Sequence, residues 1–175
     1  MREAAWLRWP LTRLAWCALG IALGLGLALY VVLPPEGSLF FAPLGASSMF
    51  LFGLTRTPTA QPRALLGGHL GCAAIGIACY QILGDALWVY AFAQGCALVY
   101  MLGCRTMHPP AGANPALMIH NHANASALWD PVLLGLLCLM AVAVIWSRIY
   151  PGLAAWPGRW MTPVPETRLG GAWED

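Results

Sequence analysis

The stretch Arg105-Thr106-Met107-His108-Pro109-Pro110-Ala111-Gly112-Ala113-Asn114 joins a cation, a titratable imidazole and two prolines. The prolines forbid a regular helix, so freed backbone carbonyls and the His108 ring meet at one place. There the imidazole could hold a solute, carry a proton or simply bond a freed carbonyl. An earlier stretch, Pro43-Leu44-Gly45-Ala46-Ser47, repeats the pattern of Pro110 to Asn114 at an offset of 67 residues. Ser47 and Asn114 fall at matching positions and both suit a helix N-cap, with Pro115 at the first helical position. Two helix starts facing each other would turn free N–H groups and positive dipole ends on a small anion. The expected binding set is therefore Gly45, Ala46, Ser47, His108, Gly112, Ala113 and Asn114. His69, in Gly67-Gly68-His69, and Arg105 stand behind it. The plainer alternative is that Ser47 and Asn114 only cap, that the glycines only let helices approach, and that His69 only packs.

Other polar residues carry less. His120 and His122, beside Asn121 and Asn124, could hold a metal, but no carboxylate or Cys is near in sequence, so no metal is expected. Asp85 and Asp130 read as lone loop acids, and no nucleophile motif occurs, so no enzyme and no cofactor are expected. Arg56 and Arg63 flank Thr57-Pro58-Thr59-Ala60-Gln61-Pro62, a stiff turn that either funnels anions or anchors helices at lipid headgroups. The six Cys lie in or at the end of apolar stretches without C-x-x-C spacing and read as small packing residues.

The elements that must position these residues are set by the solvent. The 175 residues are 59% hydrophobic and 9% charged, against about 25% charged in soluble domains. A net charge of +2, all nine basic residues being Arg, is too small to imply nucleic acid. The runs Leu14 to Leu33, Ala64 to Leu83, Ala86 to Cys104 and Pro131 to Tyr150 are long enough to span a hydrocarbon core of about 30 Å. The first exceeds a secretory h-region and meets Pro34-Pro35-Glu36 rather than a cleavage site, so it reads as an uncleaved anchor. Leu39 to Leu54 and Met107 to Trp129 are apolar but interrupted by Pro and Gly. The fold class expected is thus all-α: a polytopic membrane protein with four full transmembrane helices and two short broken half-helices, in two pseudo-repeated halves.

If the broken segments cross, every Arg falls on one side of the bilayer, and Glu36, Asp85 and Asp130 on the other. That distribution favours six crossings, a cytoplasmic N-terminus and halves inverted relative to each other, with the solute site at the midplane. Irregular backbone in lipid must face inward, because each unpaired group costs several kcal/mol. Residues 151 to 175, with Trp156, Trp160 and Trp173 among prolines and glycines, read as an interfacial or loosely ordered tail after a domain over 14 to 150.

Thr106-Met107-His108-Pro109-Pro110-Ala111-Gly112-Ala113 resembles the signature of the HPP family of small integral membrane proteins, named for its His-Pro-Pro. Ala42-Pro43-Leu44-Gly45-Ala46-Ser47, Ala60-Gln61-Pro62-Arg63 and Gly67-Gly68-His69 add to the resemblance, which covers roughly residues 14 to 150. It implies a bacterial or organellar membrane protein usually described with four transmembrane helices, some plant and cyanobacterial relatives of which are linked to nitrite transport. Relatives commonly carry Thr or a similar residue where this chain has Asn114-Pro115. The function expected is transport of a small inorganic anion, nitrite first, in a bacterial inner membrane by a homo-oligomer. Alternatives are a pore for a small neutral solute and a non-transporting assembly subunit.

Overall fold

The structure is a computed structural model that describes residues 11–33, 39–150, 154–161 and 163–164. Arg2, Arg8, Pro34-Pro35-Glu36, Arg168 and Trp173, on which parts of the charge and tail readings rest, lie outside the described residues. The described residues form six α-helices: α1 (Leu11–Val32), α2 (Ala42–Gly53), α3 (Pro62–Leu83), α4 (Leu87–Gly103), α5 (Asn114–His120) and α6 (Leu134–Ile149). A 3-10 turn (Pro109–Ala113) leads into α5, and a 3-10 turn (Ala125–Leu128) and a π turn (Trp129–Leu133) lead into α6. The described residues contain no strand. Among the described residues three stretches can cross a membrane by length and composition, Leu11–Val32, Pro62–Leu83 and Ala125–Ile149. The fourth expected full helix, α4, has 17 residues, about 25 Å at the α-helical rise.

Between α1 and α6 small residues admit large ones. A Cβ on Gly20 would meet Phe52 and Trp146 at 2.6 Å, and the Trp16 and Trp146 rings stack at 4.0 Å. In lipid such close packing, rather than exclusion of water, holds helices together. The same logic joins α3 to α5: a Cβ on Gly76 would lie 2.6 Å from Pro115 Cα and 2.7 Å from its carbonyl oxygen.

Contacts at the helix ends order the chain along one axis. Thr12 bonds Tyr150, Arg63 bonds the Cys104 carbonyl, and His108 bonds the Thr59 carbonyl, so these residues share one end. At the other end His122 pairs with Asp85, and Leu33, Phe40, Asn124 and Asp130 line one cavity. Six successive segments, the short α2 and the 109–120 segment among them, therefore run alternately from end to end. The described arginines, Arg13, Arg56, Arg63, Arg105, Arg148 and Arg159, gather at the first end, and the described acids, Asp85 and Asp130, at the second.

The short segments differ from the sequence expectation. α2 is a continuous helix of 12 residues that begins at Ala42, five residues before Ser47. Pro43 sits in its first turn, where a missing N–H removes no intrahelical bond, so the Pro-x-Gly pattern opens the helix instead of breaking it. Ser47 is thus mid-helix and caps nothing. α5 does start at Asn114, but its N-cap residue is Ala113, without a side-chain cap bond, and Asn114 is already helical.

The described part of the C-terminal segment packs against the bundle. Trp156 is fully buried and its indole donates to the Ala60 carbonyl at 2.8 Å. Gln61 accepts from the Gly158 and Arg159 amides and donates to the Thr55 and Thr57 carbonyls. Arg105, with φ +54° after the end of α4, exchanges bonds with Val164: Val164 N–H donates to its carbonyl and its Nε to that of Val164, both at 3.1 Å.

Candidate functional site

Four polar side chains lie together inside the bundle, each buried to within 2% of completeness: Ser47, His69, His108 and Asn114. α2 supplies Ser47, α3 His69, the turn before the 3-10 segment His108, and the first residue of α5 Asn114. Gly68 explains the approach. A Cβ there would crowd His108 Cβ and the Thr106 carbonyl, each at 3.1 Å, so glycine lets the extended His108 segment lie against α3. The two prolines that follow remove the backbone donors that would otherwise have coiled this segment away.

The hydrogen bonds have one direction, dictated by their ends. A carbonyl only accepts, so His108 Nδ1–H donates to Thr59 O at 2.7 Å, and a neutral His108 ring presents a bare Nε2. Ser47 Oγ–H then donates to that Nε2 at 2.8 Å, and Ser47 Oγ accepts from His69 Nε2–H at 2.7 Å. His69 Nδ1 is left as an acceptor for the Asn114 amide nitrogen at 3.0 Å, and the same nitrogen donates to the His69 carbonyl at 3.1 Å. His69 is therefore the Nε2–H tautomer and His108 the Nδ1–H tautomer. The two rings lie 5.2 Å apart between centroids, and Phe50 closes edge-on over His108 at 5.4 Å. No charged side chain among the described residues bonds any of the four.

The expected binding set is split by the fold. Ser47, His108 and Asn114 meet, and His69, expected behind them, is the hub to which Ser47 and Asn114 both bond. Gly45 is half-buried beside Leu25, Ala46 is half-buried, Gly112 lies near Gln94, and Ala113 is exposed. Arg105 is engaged by Val164 instead. The picture of two facing helix starts does not hold, because Ser47 lies within α2. Two participants were missed: the Thr59 carbonyl, and Trp156, which seals the neighbouring Ala60. Gln61 was visible only as part of a motif.

The outer histidines are placed differently. His122 Nε2 lies 3.0 Å from Asp85 and its ring stacks flat on Tyr80 at 4.8 Å, so Asp85 is not a lone acid and His122 does have a carboxylate partner. Among the described residues no three His, Cys, Asp or Glu side chains converge as a metal would need.

Two cavities flank the cluster without touching it. One of about 430 Å³ opens at the arginine end, lined by Thr55, Arg56, Pro58, Gln61 and Arg159. The other, of about 420 Å³, opens at the acidic end beside Phe40, Asn121, Asn124, Ser126 and Asp130. The cluster can thus receive or release hydrogen bonds toward either end only if the packing around it shifts.

Comparison with known proteins agrees with the location of these residues in a membrane bundle. The transmembrane region of HPP proteins matches residues 7–154. A Dictyostelium discoideum protein described as a transmembrane protein is 30% identical over 163 residues, covering 82% of this chain and 50% of its own length. A second transmembrane protein of that organism is 30% identical over 113 residues, 57% of this chain and 38% of its own length. This chain thus spans half or less of the curated relatives it matches. No solved structure matches it. With its polar residues gathered inside apolar helices and its match running from residue 7 to residue 154, the chain belongs to the HPP transmembrane family and is an integral membrane protein.

Proposed function

We propose that this protein transports a small inorganic anion, nitrite being the first candidate, through the Ser47–His69–His108–Asn114 cluster. The observation that carries the reading is the cluster itself: two imidazoles, a hydroxyl and an amide wholly buried between two open cavities. Ionisable groups in a bilayer are costly and are retained chiefly where they serve a pathway. Every polar hydrogen in the cluster, on His108 Nδ1, Ser47 Oγ, His69 Nε2 and Asn114 Nδ2, can be redirected to an oxyanion once the packing opens. Among the described residues no carboxylate bonds the cluster, and the two described acids, Asp85 and Asp130, lie at the far end. Arg56 and Arg159 at the mouth of one cavity raise the local concentration of anions.

The reading includes six membrane crossings, α2 and the 109–120 segment being the short ones, with the arginine end cytoplasmic as the positive-inside tendency requires. The bilayer is a bacterial inner membrane. So few helices do not enclose and reshape a pathway alone, and the working form is a homo-oligomer. Thr59 and Asn124 lie at opposite ends of α3, so Thr59→Cys and Asn124→Cys should label from opposite sides with an impermeant maleimide. Labelling of both from one side would remove the six-crossing arrangement.

Transport is tested with purified protein in proteoliposomes, by uptake of nitrite and of nitrate, with His108→Ala alongside. Saturable nitrite uptake lost in His108→Ala is expected, and uptake no faster than in empty liposomes would sink the assignment. A pore for a small neutral solute is the second reading, favoured by the finding that, among the described residues, no charged side chain bonds the cluster. It predicts flux indifferent to salt and to proton gradients.

A further inference from the structure

We propose that His69, Ser47 and His108 form a proton relay, so that the anion moves together with a proton. The proposal rests on the transport reading for its cargo, while the relay stands on geometry alone.

A hydroxyl bonded to two imidazoles at 2.7 and 2.8 Å can accept from one and donate to the other at once. That is the arrangement a proton needs to cross between them without a free charge leaving the chain. The two ends prepare it. The Asn114 amide is oriented by its second bond, to the His69 carbonyl, and so keeps Nδ1 of His69 as the basic atom. The Thr59 carbonyl keeps the departing hydrogen on Nδ1 of His108. A proton therefore has one entry atom, facing the Asn114 amide, and one exit atom, facing the Thr59 carbonyl.

A proton from hydronium, or from the conjugate acid of the anion, bonds to His69 Nδ1 in place of the Asn114 contact. The Nε2–H bond of His69 breaks as a new Oγ–H bond forms on Ser47, and the original Ser47 hydrogen passes to His108 Nε2. His108, briefly cationic, releases its Nδ1 hydrogen to water admitted on the Thr59 side. One proton has entered and one has left, and both rings have exchanged tautomers. Rotation of the Ser47 hydroxyl and reorientation of the rings restore the starting chain.

Among the described residues, the groups that bond or stack against the two rings are few, apart from the rings themselves. α2 contributes Ser47 and the Phe50 edge, α5 contributes Asn114, and the 58–60 turn contributes the Thr59 carbonyl. None of these is charged or titrates in the range of an imidazole, so the proton exchanged is the histidines' own. The Asp85–His122 pair belongs to the far end of α3 and takes no part.

With only four histidines in the chain, the protein labelled with 15N-histidine and held in nanodiscs gives a direct reading. The imidazole shifts should show His69 protonated at Nε2 and His108 at Nδ1. On acidification the added charge should be shared by both rings in exchange, and in Ser47→Ala each ring should charge separately. The opposite tautomer on either ring, or the same charging behaviour in Ser47→Ala as in the unaltered protein, would overturn the relay whatever is transported. In proteoliposomes carrying a trapped pH dye, nitrite entry should bring protons above the empty-liposome background. Ser47→Ala should lower that proton signal at least tenfold, and Ser47→Thr, which keeps the hydroxyl, should preserve it. Nitrite entry without protons in the unaltered protein would refute the coupling, and absence of nitrite entry would refute the transport reading while the spectra still judge the relay.

Discussion

Two histidine pairs in this molecule solve opposite problems. His69 and His108 are sealed inside the bundle and bond only neutral partners through both ring nitrogens. His122, more than half exposed at the acidic end, lies 3.0 Å from a carboxylate equally open to solvent. Inside, a polar atom without a partner costs the full penalty of its desolvation, so every hydrogen is assigned and the tautomers follow. Outside, water and headgroups compete for each bond, and an exposed pair adds little. The buried pair is therefore where a substitution should cost the most stability and, on the proposed function, the most transport, and the exposed pair is where it should cost little of either.

The largest effect should come from His108→Ala. It empties a ring-sized space and leaves the Thr59 carbonyl and the Ser47 hydroxyl short of a partner. A loss of about 3–5 kcal/mol is expected, read from thermal or denaturant unfolding in detergent. A loss below about 1 kcal/mol would mean that the cluster is already wet, which would blur the contrast with the outer pair.

A smaller loss sharpens the comparison from the packing side. Gly76→Ala must push its new methyl into the backbone of Pro115, the residue after Asn114, and should destabilise by about 1–3 kcal/mol. Gly95→Ala on α4, where nothing lies within 4 Å, should change little in the same unfolding experiment. Equal effects would show that α3 and α5 are not held at this distance. Asp85→Asn should have the smallest effect, below about 1 kcal/mol and fading as salt is raised, because the pair it breaks is exposed. A large, salt-insensitive loss would put that pair in the same class as the buried one.

Much of the architecture was legible because bilayer thickness demands long apolar runs. Leu14 to Leu33 became Leu11–Val32, and Ala64 to Leu83 became Pro62–Leu83. α2 was misread because Pro43 and Gly45 look like breaks, while proline in a first turn is compatible with a helix. Ser47, His69, His108 and Asn114 were all visible as residue types, yet their roles were not. Their bonds join positions 22, 45 and 61 residues apart, and local spacing offers a cap before it offers such a partner. A backbone acceptor such as Thr59 carries no side-chain signal at all. Trp156 was hidden for another reason: a segment rich in Pro and Gly has no periodicity to betray the pocket it fills, and only its partners, Ala60 and Ser147, reveal it.

The most direct test sets the buried cluster against the exposed pair in one assay: the initial rate of nitrite uptake into proteoliposomes by Ser47→Ala and by Asp85→Asn, at matched amounts of folded protein. Ser47→Ala should lose at least nine-tenths of the uptake seen with the unaltered protein while Asp85→Asn keeps it. Equal rates in the two variants would contradict a role for the cluster in moving the anion.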